Sequence, residues 1–331
     1  MELKNYQKSV MHTLSSYMDC VNNTANLFAA WEEYWRCQDI GVGFGGVPTY
    51  NNAIKGVPHV CMKVPTGGGK TFMACSSVKR IFDEMPKDKS KVVVWLVPSD
   101  PILNQTIKTL SDTNHPYRQK LEADFAGRVG VYTKEQLLNG HNFSPDTVRE
   151  MLTVCILSYG SLRIDSTKKD VRKVYQENGN LLRFAEYFNN KETLLADTPD
   201  TALIQVLRQL SPVIIVDESH NAGSDLSIEM LNRLNPSFVL DLTATPRKNS
   251  NILCYVDARE LKKEHMVKLP VVVYNRTFRQ SVIQDAIQLR GSIELQAKSQ
   301  EDAGGEYIRP IVLFQAQPNL KGKETDTYQK I

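Results

Sequence analysis

Short apolar runs rich in β-branched residues recur along the chain at 59–64, 91–97, 152–157, 212–216 and 238–242. Stretches with helical spacing lie between several of them, at 71–84, 101–110 and 226–234. Nearly continuous apolar strands that alternate with helices predict a parallel sheet covered on both faces. Right-handed crossovers then give an open, doubly wound α/β domain, whose ligands sit outside the C-terminal ends of the strands.

Two segments interrupt the alternation, and no internal repeat accompanies them. The first, 26–57, contains Trp31, Trp35 and the loop Gly41-Val42-Gly43-Phe44-Gly45-Gly46. That loop lacks a following Lys-Ser/Thr and a preceding strand, and reads as a flexible connection. The second, about 163–211, carries Lys168, Lys169, Arg172 and Lys173 and then a helical stretch around 181–188. Between 163 and 191 the basic excess suits a solvated helix face, with a nucleic-acid contact as the alternative.

Composition narrows the class. The 331 residues include 40 Lys+Arg against 37 Asp+Glu, a formal charge of +3, with 41% hydrophobic residues. These values exclude collagen-like, low-complexity and wholly disordered chains. Near-balanced charge excludes a histone-like protein bound through its overall field, but not a local basic track. No apolar stretch approaches the roughly 18 residues of a membrane span, and the N-terminus lacks the apolar core of a secretory signal. Six cysteines show no close spacing of a zinc or redox site. They are expected to be reduced thiols in a cytoplasmic protein.

The sharpest chemical feature is Val64-Pro65-Thr66-Gly67-Gly68-Gly69-Lys70-Thr71, between a strand and a helix. Three glycines let the backbone wrap phosphate oxygens with its N–H groups inward, and the helix adds its positive N-terminal end. Lys70 would reach the β- and γ-phosphates, and the Thr71 hydroxyl would ligate Mg²⁺. Phosphoryl chemistry also needs an acidic residue at a neighbouring strand end. Asp217, after Val213-Ile214-Ile215-Val216, would hold the metal, and Glu218 would polarise the attacking water. A helix N-cap at Asp217 or Ser219 is the plainer alternative. A further strand ends in Thr243-Ala244-Thr245-Pro246.

Thr66-Gly67-Gly68-Gly69-Lys70-Thr71, Asp217-Glu218-Ser219-His220 and Thr243-Ala244-Thr245-Pro246 resemble motifs I, II and III of superfamily 2 helicases and translocases. Leu3-Lys4-Asn5-Tyr6-Gln7 resembles the Q-type motif, in which the matching Gln7 reads the adenine edge; an amphipathic helix start is the alternative. Leu96-Val97-Pro98-Ser99, with Ile102 and Gln105, resembles motif Ia. Leu157-Ser158-Tyr159-Gly160-Ser161 resembles the later motif with a similar backbone-contacting duty.

Within that superfamily the chain resembles the restriction (Res) subunit of type III restriction enzymes. The likeness rests on its phosphate loop, on Asp217-Glu218-Ser219-His220-Asn221-Ala222-Gly223 and on the tail Met266-Val267-Lys268-Leu269-Pro270 and Ile308-Arg309-Pro310-Ile311-Val312-Leu313-Phe314-Gln315-Ala316.

The resemblance implies a P-loop RecA-like sheet with helical insertions and the short start of a second RecA-like lobe. It divides the chain into 1–56 (Q-motif-like helix and insertion), 57–250 (ATP-binding lobe), 251–305 (connecting segment) and 306–331 (second lobe, truncated). The chain is then expected to be the N-terminal piece of a larger protein, or a truncated gene product, without arginine finger or nuclease domain.

The resemblance further implies ATP and Mg²⁺ as cofactors and DNA, most naturally duplex, as the track. A methyltransferase subunit would be the partner. Gln7, Thr66, Gly67, Gly68, Gly69, Lys70 and Thr71 would bind nucleotide, with Lys70, Asp217 and Glu218 catalytic. His220, Thr243 and Thr245 would couple hydrolysis to lobe movement, and Pro98, Ser99, Ser158 and Tyr159 would meet nucleic acid. The expected function is thus an ATP-driven DNA translocase or helicase subunit of a restriction-type system. The alternatives are a P-loop kinase or ATPase without nucleic acid, a repair or defence helicase, and a nucleotide- or DNA-binding fragment with little turnover.

Overall fold

The computed structural model describes residues 1–87, 89–163, 173–188, 193–217, 225–266, 276 and 278–314, without the side chains of 225–227 and 279. Glu218, Ser219, His220, Lys168, Lys169, Arg172, 267–270, Gln315 and Ala316 lie outside the described residues.

Seven strands form one sheet: β1 (His59–Lys63), β2 (Val92–Val97), β3 (Val129–Tyr132), β4 (Leu152–Ser158), β5 (Val213–Asp217), β6 (Phe238–Thr243) and β7 (Ile252–Tyr255). Their order is β3-β4-β2-β5-β6-β1-β7, and every pairing is parallel. The five strands expected from apolar runs are all present. The two edge strands, β3 and β7, are additions.

Alternate strand residues feed opposite cores, as the pleat requires. Val93, Trp95 and Val97 of β2 join one cluster, and Val92, Val94 and Leu96 the other. The first cluster is covered by α1 (Asn5–Asn23), α2 (Leu27–Arg36), α3 (Lys70–Asp83), α4 (Asp100–Ser111) and α5 (Pro116–Asp124). Helix α1 buries Tyr6, Gln7, Val10, Met11, Leu14, Tyr17 and Met18, the i, i+3/i+4 stripe of an amphipathic helix. Tyr17 meets Trp31 and Tyr34 of α2 edge-on, at centroid distances of 5.9 Å each. Segment 26–57 is thus partly core, since Trp31 is 2% exposed and its indole donates to the Pro48 carbonyl at 2.9 Å.

The second face is covered by α6 (Leu203–Gln209), α7 (Asp225–Arg233) and a short helix, Leu182–Tyr187. Segment 163–211, where described, adds apolar residues to this cluster. Leu181, Phe184, Leu203, Val206 and Leu207 are each no more than 1% exposed and pack into this cluster beside Leu137, Phe143 and Val148. Only one side of the Leu182–Tyr187 helix is wet, with Leu182 52% exposed.

Strand β7 continues the sheet, and α8 (Ala258–Lys263) follows it within the compact unit Met1–Val267. The second unit, Lys268–Ile331, contains α9 (Arg279–Asp302). The strand expected at 308–316 is not formed over its described part, 308–314. A strand needs a hydrogen-bonded neighbour, and Arg290 and Glu294 instead bond Pro310 and Tyr307 as side-chain contacts. No described helix is long and apolar enough to cross a membrane.

Candidate active site

Strands β5, β6 and β1 lie side by side, and their C-terminal ends carry Asp217, Thr243 and the phosphate loop. Their register is level: Asp217 pairs with Leu242, and Lys63 with Thr243. The Val64 N–H then donates to the Thr243 carbonyl at 3.0 Å, so the β6 end is bonded to the residue that opens the loop.

The loop turns back on itself through a Gly68 N–H to Pro65 carbonyl bond of 3.0 Å. Gly67 and Gly69 have φ of +84° and +72°, the left-handed region where a Cβ is strained. Gly69 caps α3, whose first residue is Lys70. Thr66 and Gly67 are exposed, Gly69 and Thr71 half-buried, and Gly68 and Lys70 buried. Backbone amides in this arrangement, at the start of a 14-residue helix, are able to cradle an anion.

Behind the cradle the structure places Gln7 together with two residues not expected at the site, Tyr6 and Leu261. The Gly68 carbonyl accepts from Tyr6 Oη at 2.7 Å and from Gln7 Nε2 at 3.2 Å. Gln7 Nε2 also donates to Tyr6 Oη at 3.3 Å, and Gln7 Oε1 accepts the Lys4 N–H at 2.9 Å. Gln7 is therefore a capping residue of α1 and a brace for the loop at once. Both of its N–H donors are engaged, so the adenine-reading role drawn from the resemblance is left with acceptor capacity alone. Burial pushes the Tyr6 phenol up, against the lowering effect of Gln7. Leu261 of α8 closes the far side: a Cβ on Gly68 would stand 3.5 Å from its Cδ2 and 2.6 Å from Val64 Cγ1. Tyr6 adjoins the quoted Gln7, whereas nothing in the local pattern of α8 signals its place behind the loop.

Asp217 is 8% exposed and Thr243 is fully buried. Thr245 N–H donates to Thr243 Oγ1 at 3.2 Å, closing the turn after β6. Asp217 and Thr71 are the described oxygen donors that could hold Mg²⁺. Among the described residues no group of three or more His, Cys, Asp or Glu is arranged around a metal. That donor set fits a cation that keeps water and substrate phosphates in its shell.

The remaining candidates fall on β2 and β4, next in the sheet order. Pro98 and Ser99 follow β2 and are half-buried, and Ser99 precedes α4. Ser158 ends β4 and shares a 2.9 Å hydrogen bond with Ser161. Tyr159 is 7% exposed, and its hydroxyl has no partner among the described residues. Burial raises its phenol pKa, with Asp241 adding to the effect. The exposed position beside it is Gly160. A second buried contact missed by the motifs is His59 Nε2 to Asp241 Oδ2, 3.0 Å, linking β1 to β6.

The family described as "Type III restriction enzyme, res subunit" matches residues 1–248. No curated protein matches the chain. Among solved structures, a nuclease-deletion mutant of the Type ISP restriction-modification enzyme LlaGI in complex with a DNA substrate mimic is 11% identical, with a TM-score of 0.43 over 90% of this chain and 23% of that one. The Sulfolobus solfataricus SWI2/SNF2 ATPase core in complex with dsDNA is 13% identical, with a TM-score of 0.30 over 74% of this chain and 32% of that one. The UvsW helicase from Bacteriophage T4 is 12% identical, with a TM-score of 0.29 over 72% of this chain and 64% of that one. The chain thus spans less than a quarter of the LlaGI structure. With three quarters of its length matched by one family description, the chain belongs to the type III restriction enzyme res subunit family.

Proposed function

We propose that this chain is the nucleotide-binding lobe of an ATP-driven DNA translocase or helicase of a restriction-type enzyme. The observation that carries the reading is the level edge formed by β5, β6 and β1, which sets Asp217, Thr243 and the Gly67–Gly69 cradle on three adjacent strand ends. Lys70, at the start of α3, stabilises charge on the transferring phosphoryl. Thr71 and Asp217 hold Mg²⁺, and Glu218 polarises the attacking water. Mg²⁺ supplies charge neutralisation between the phosphates when bound.

The Val64–Thr243 bond gives motion at the phosphate loop a direct path to the Thr243-Ala244-Thr245 turn, with His220 as a further link. Pro98, Ser99 and Ser158 take the phosphate backbone of duplex DNA on the neighbouring strand ends. A methyltransferase subunit reads the recognition sequence, and an endonuclease function belongs to the whole protein. A kinase or a metabolic ATPase would leave the restriction family match without a role. Cytoplasmic placement accords with this work on DNA.

The experiment is ATP hydrolysis by the full-length protein with and without duplex DNA. Stimulation by DNA, abolished by Lys70→Ala, supports the reading; a rate indifferent to duplex and single-stranded DNA overturns it.

A further inference from the structure

Two polar atoms are enclosed on one side of the sheet without a hydrogen bond among the described residues. One is Tyr159 Oη, on the residue that follows β4; the other is Asp241 Oδ1, on β6, in a residue only 3% exposed. The first is a donor and the second an acceptor, and an enclosed polar atom without a partner is costly enough to call for a reason. Asp241 stands two residues after Val239, on the strand face that Val239 gives to the second cluster, and that cluster also holds Tyr159. Burial raises the Tyr159 phenol, the Asp241 carboxylate raises it further and Arg247 opposes them, so the carboxylate's charge reaches the phenol.

The carboxylate is held from its other side. Asp241 Oδ2 shares a 3.0 Å hydrogen bond with His59 Nε2, which fixes its orientation against β1 and leaves Oδ1 for a partner from elsewhere. Both residues also stand beside positions given a role above. Tyr159 directly follows Ser158, and Asp241 lies two residues before Thr243, whose carbonyl accepts the Val64 N–H at 3.0 Å. Strands β2 and β5 separate β4 from β6, so no strand pairing joins these two ends.

We propose that Tyr159 and Asp241 are a positioning pair: the Tyr159 hydroxyl donates to Asp241 Oδ1 when DNA and nucleotide are both bound, and so links the β4 end to the Thr243 turn. The inference rests on the motor reading above. Both oxygens are open in the present arrangement, so the bond needs a small relative shift of the two strand ends. DNA at Ser158 and nucleotide at the phosphate loop each bias that shift. A bond made in only one of two arrangements couples the sites that select it, on a scale of about 5–150-fold.

The test is ATP hydrolysis by the full-length protein with and without duplex DNA, read beside urea unfolding of the 331-residue chain. Tyr159→Phe keeps the ring and removes only the hydroxyl. It should cut the stimulation by DNA about fivefold or more. The urea midpoint should stay level or rise, because the atom removed had no partner. Tyr132→Phe is the control: Tyr132 lies in the same cluster, and its hydroxyl already donates to the Asn142 carbonyl at 2.8 Å. It should lower the midpoint and leave the stimulation intact. Asp241→Leu should lose stimulation as Tyr159→Phe does, and the double variant should lose no more than either single. The inference is overturned by full stimulation in Tyr159→Phe, by a midpoint that falls with the stimulation, by an equal loss in Tyr132→Phe, or by additive losses in the double variant. If Asp241→Leu fails to fold, the two tyrosine variants decide alone. A wild-type rate that no DNA raises overturns the motor reading, and this inference with it.

Discussion

Gln7 Nε2 donates to the Gly68 carbonyl at 3.2 Å, across 61 positions of sequence, and so ties the start of α1 to the back of the phosphate loop. With Tyr6 Oη on the same carbonyl at 2.7 Å, the loop is braced from behind by two adjacent side chains.

Removing either brace should loosen the loop. Each such bond contributes about 1 kcal/mol, so Tyr6→Phe is expected to weaken mant-ATP binding several-fold while the fold persists. Gln7→Ala should weaken it further, and should lower the unfolding midpoint because the α1 cap at Lys4 is lost with it. Equilibrium titration and urea unfolding measure the two effects. Undiminished binding in both variants would show that the braces do not act on the loop.

Gly69→Ala tests the loop geometry. At φ +72° a side chain costs about 1–2 kcal/mol, and its Cβ would lie 2.5 Å from Gln7 Nε2. Nucleotide affinity should fall about tenfold or more. Gly43→Ala has φ +99° but nothing within 4 Å, so it should lower stability and leave binding alone.

The core makes its own prediction. Leu14 is fully buried between α1 and its neighbours, and Leu14→Ala should destabilise the chain by about 2–5 kcal/mol. Urea unfolding is the measurement. A loss below that range would mean that the α1 layer is not part of the cooperative core.

Alkali should destabilise the chain. Burial pushes the Cys254 thiol up from 9.0 to about 12, and raises the Cys61, Cys75 and Cys155 thiols as well. Between the ordinary thiol range and these raised values the native state holds protons that the unfolded state has released. Stability is therefore complete below about pH 9 and falls as pH rises. Urea midpoints at pH 7, 9 and 10.5 should decrease in that order. Thiol labelling at pH 8 should modify the exposed Cys37 first and spare the buried Cys61, Cys75 and Cys155.

Much of this architecture was legible because buried parallel strands write themselves as unbroken apolar runs, as in Val92–Val97. Strand β3 was not, since Gly130 breaks its run and an edge strand needs only one apolar face; β7 is as short, at four residues. The phosphate loop was legible because its conformation demands glycine at 67 and 69. Leu261 was not, because its role comes from tertiary placement that brings a residue some 190 positions downstream behind Gly68. The burial of Tyr159 was not legible either: a residue in a contact motif has its hydroxyl kept from solvent.

The most direct test of the motor account is steady-state ATP hydrolysis by the full-length protein, with and without duplex DNA, for wild type, Lys70→Ala and Glu218→Gln. DNA should raise the wild-type rate, both substitutions should abolish turnover, and Glu218→Gln should still bind ATP. A wild-type rate unmoved by any DNA, or turnover that survives Lys70→Ala, would contradict the account.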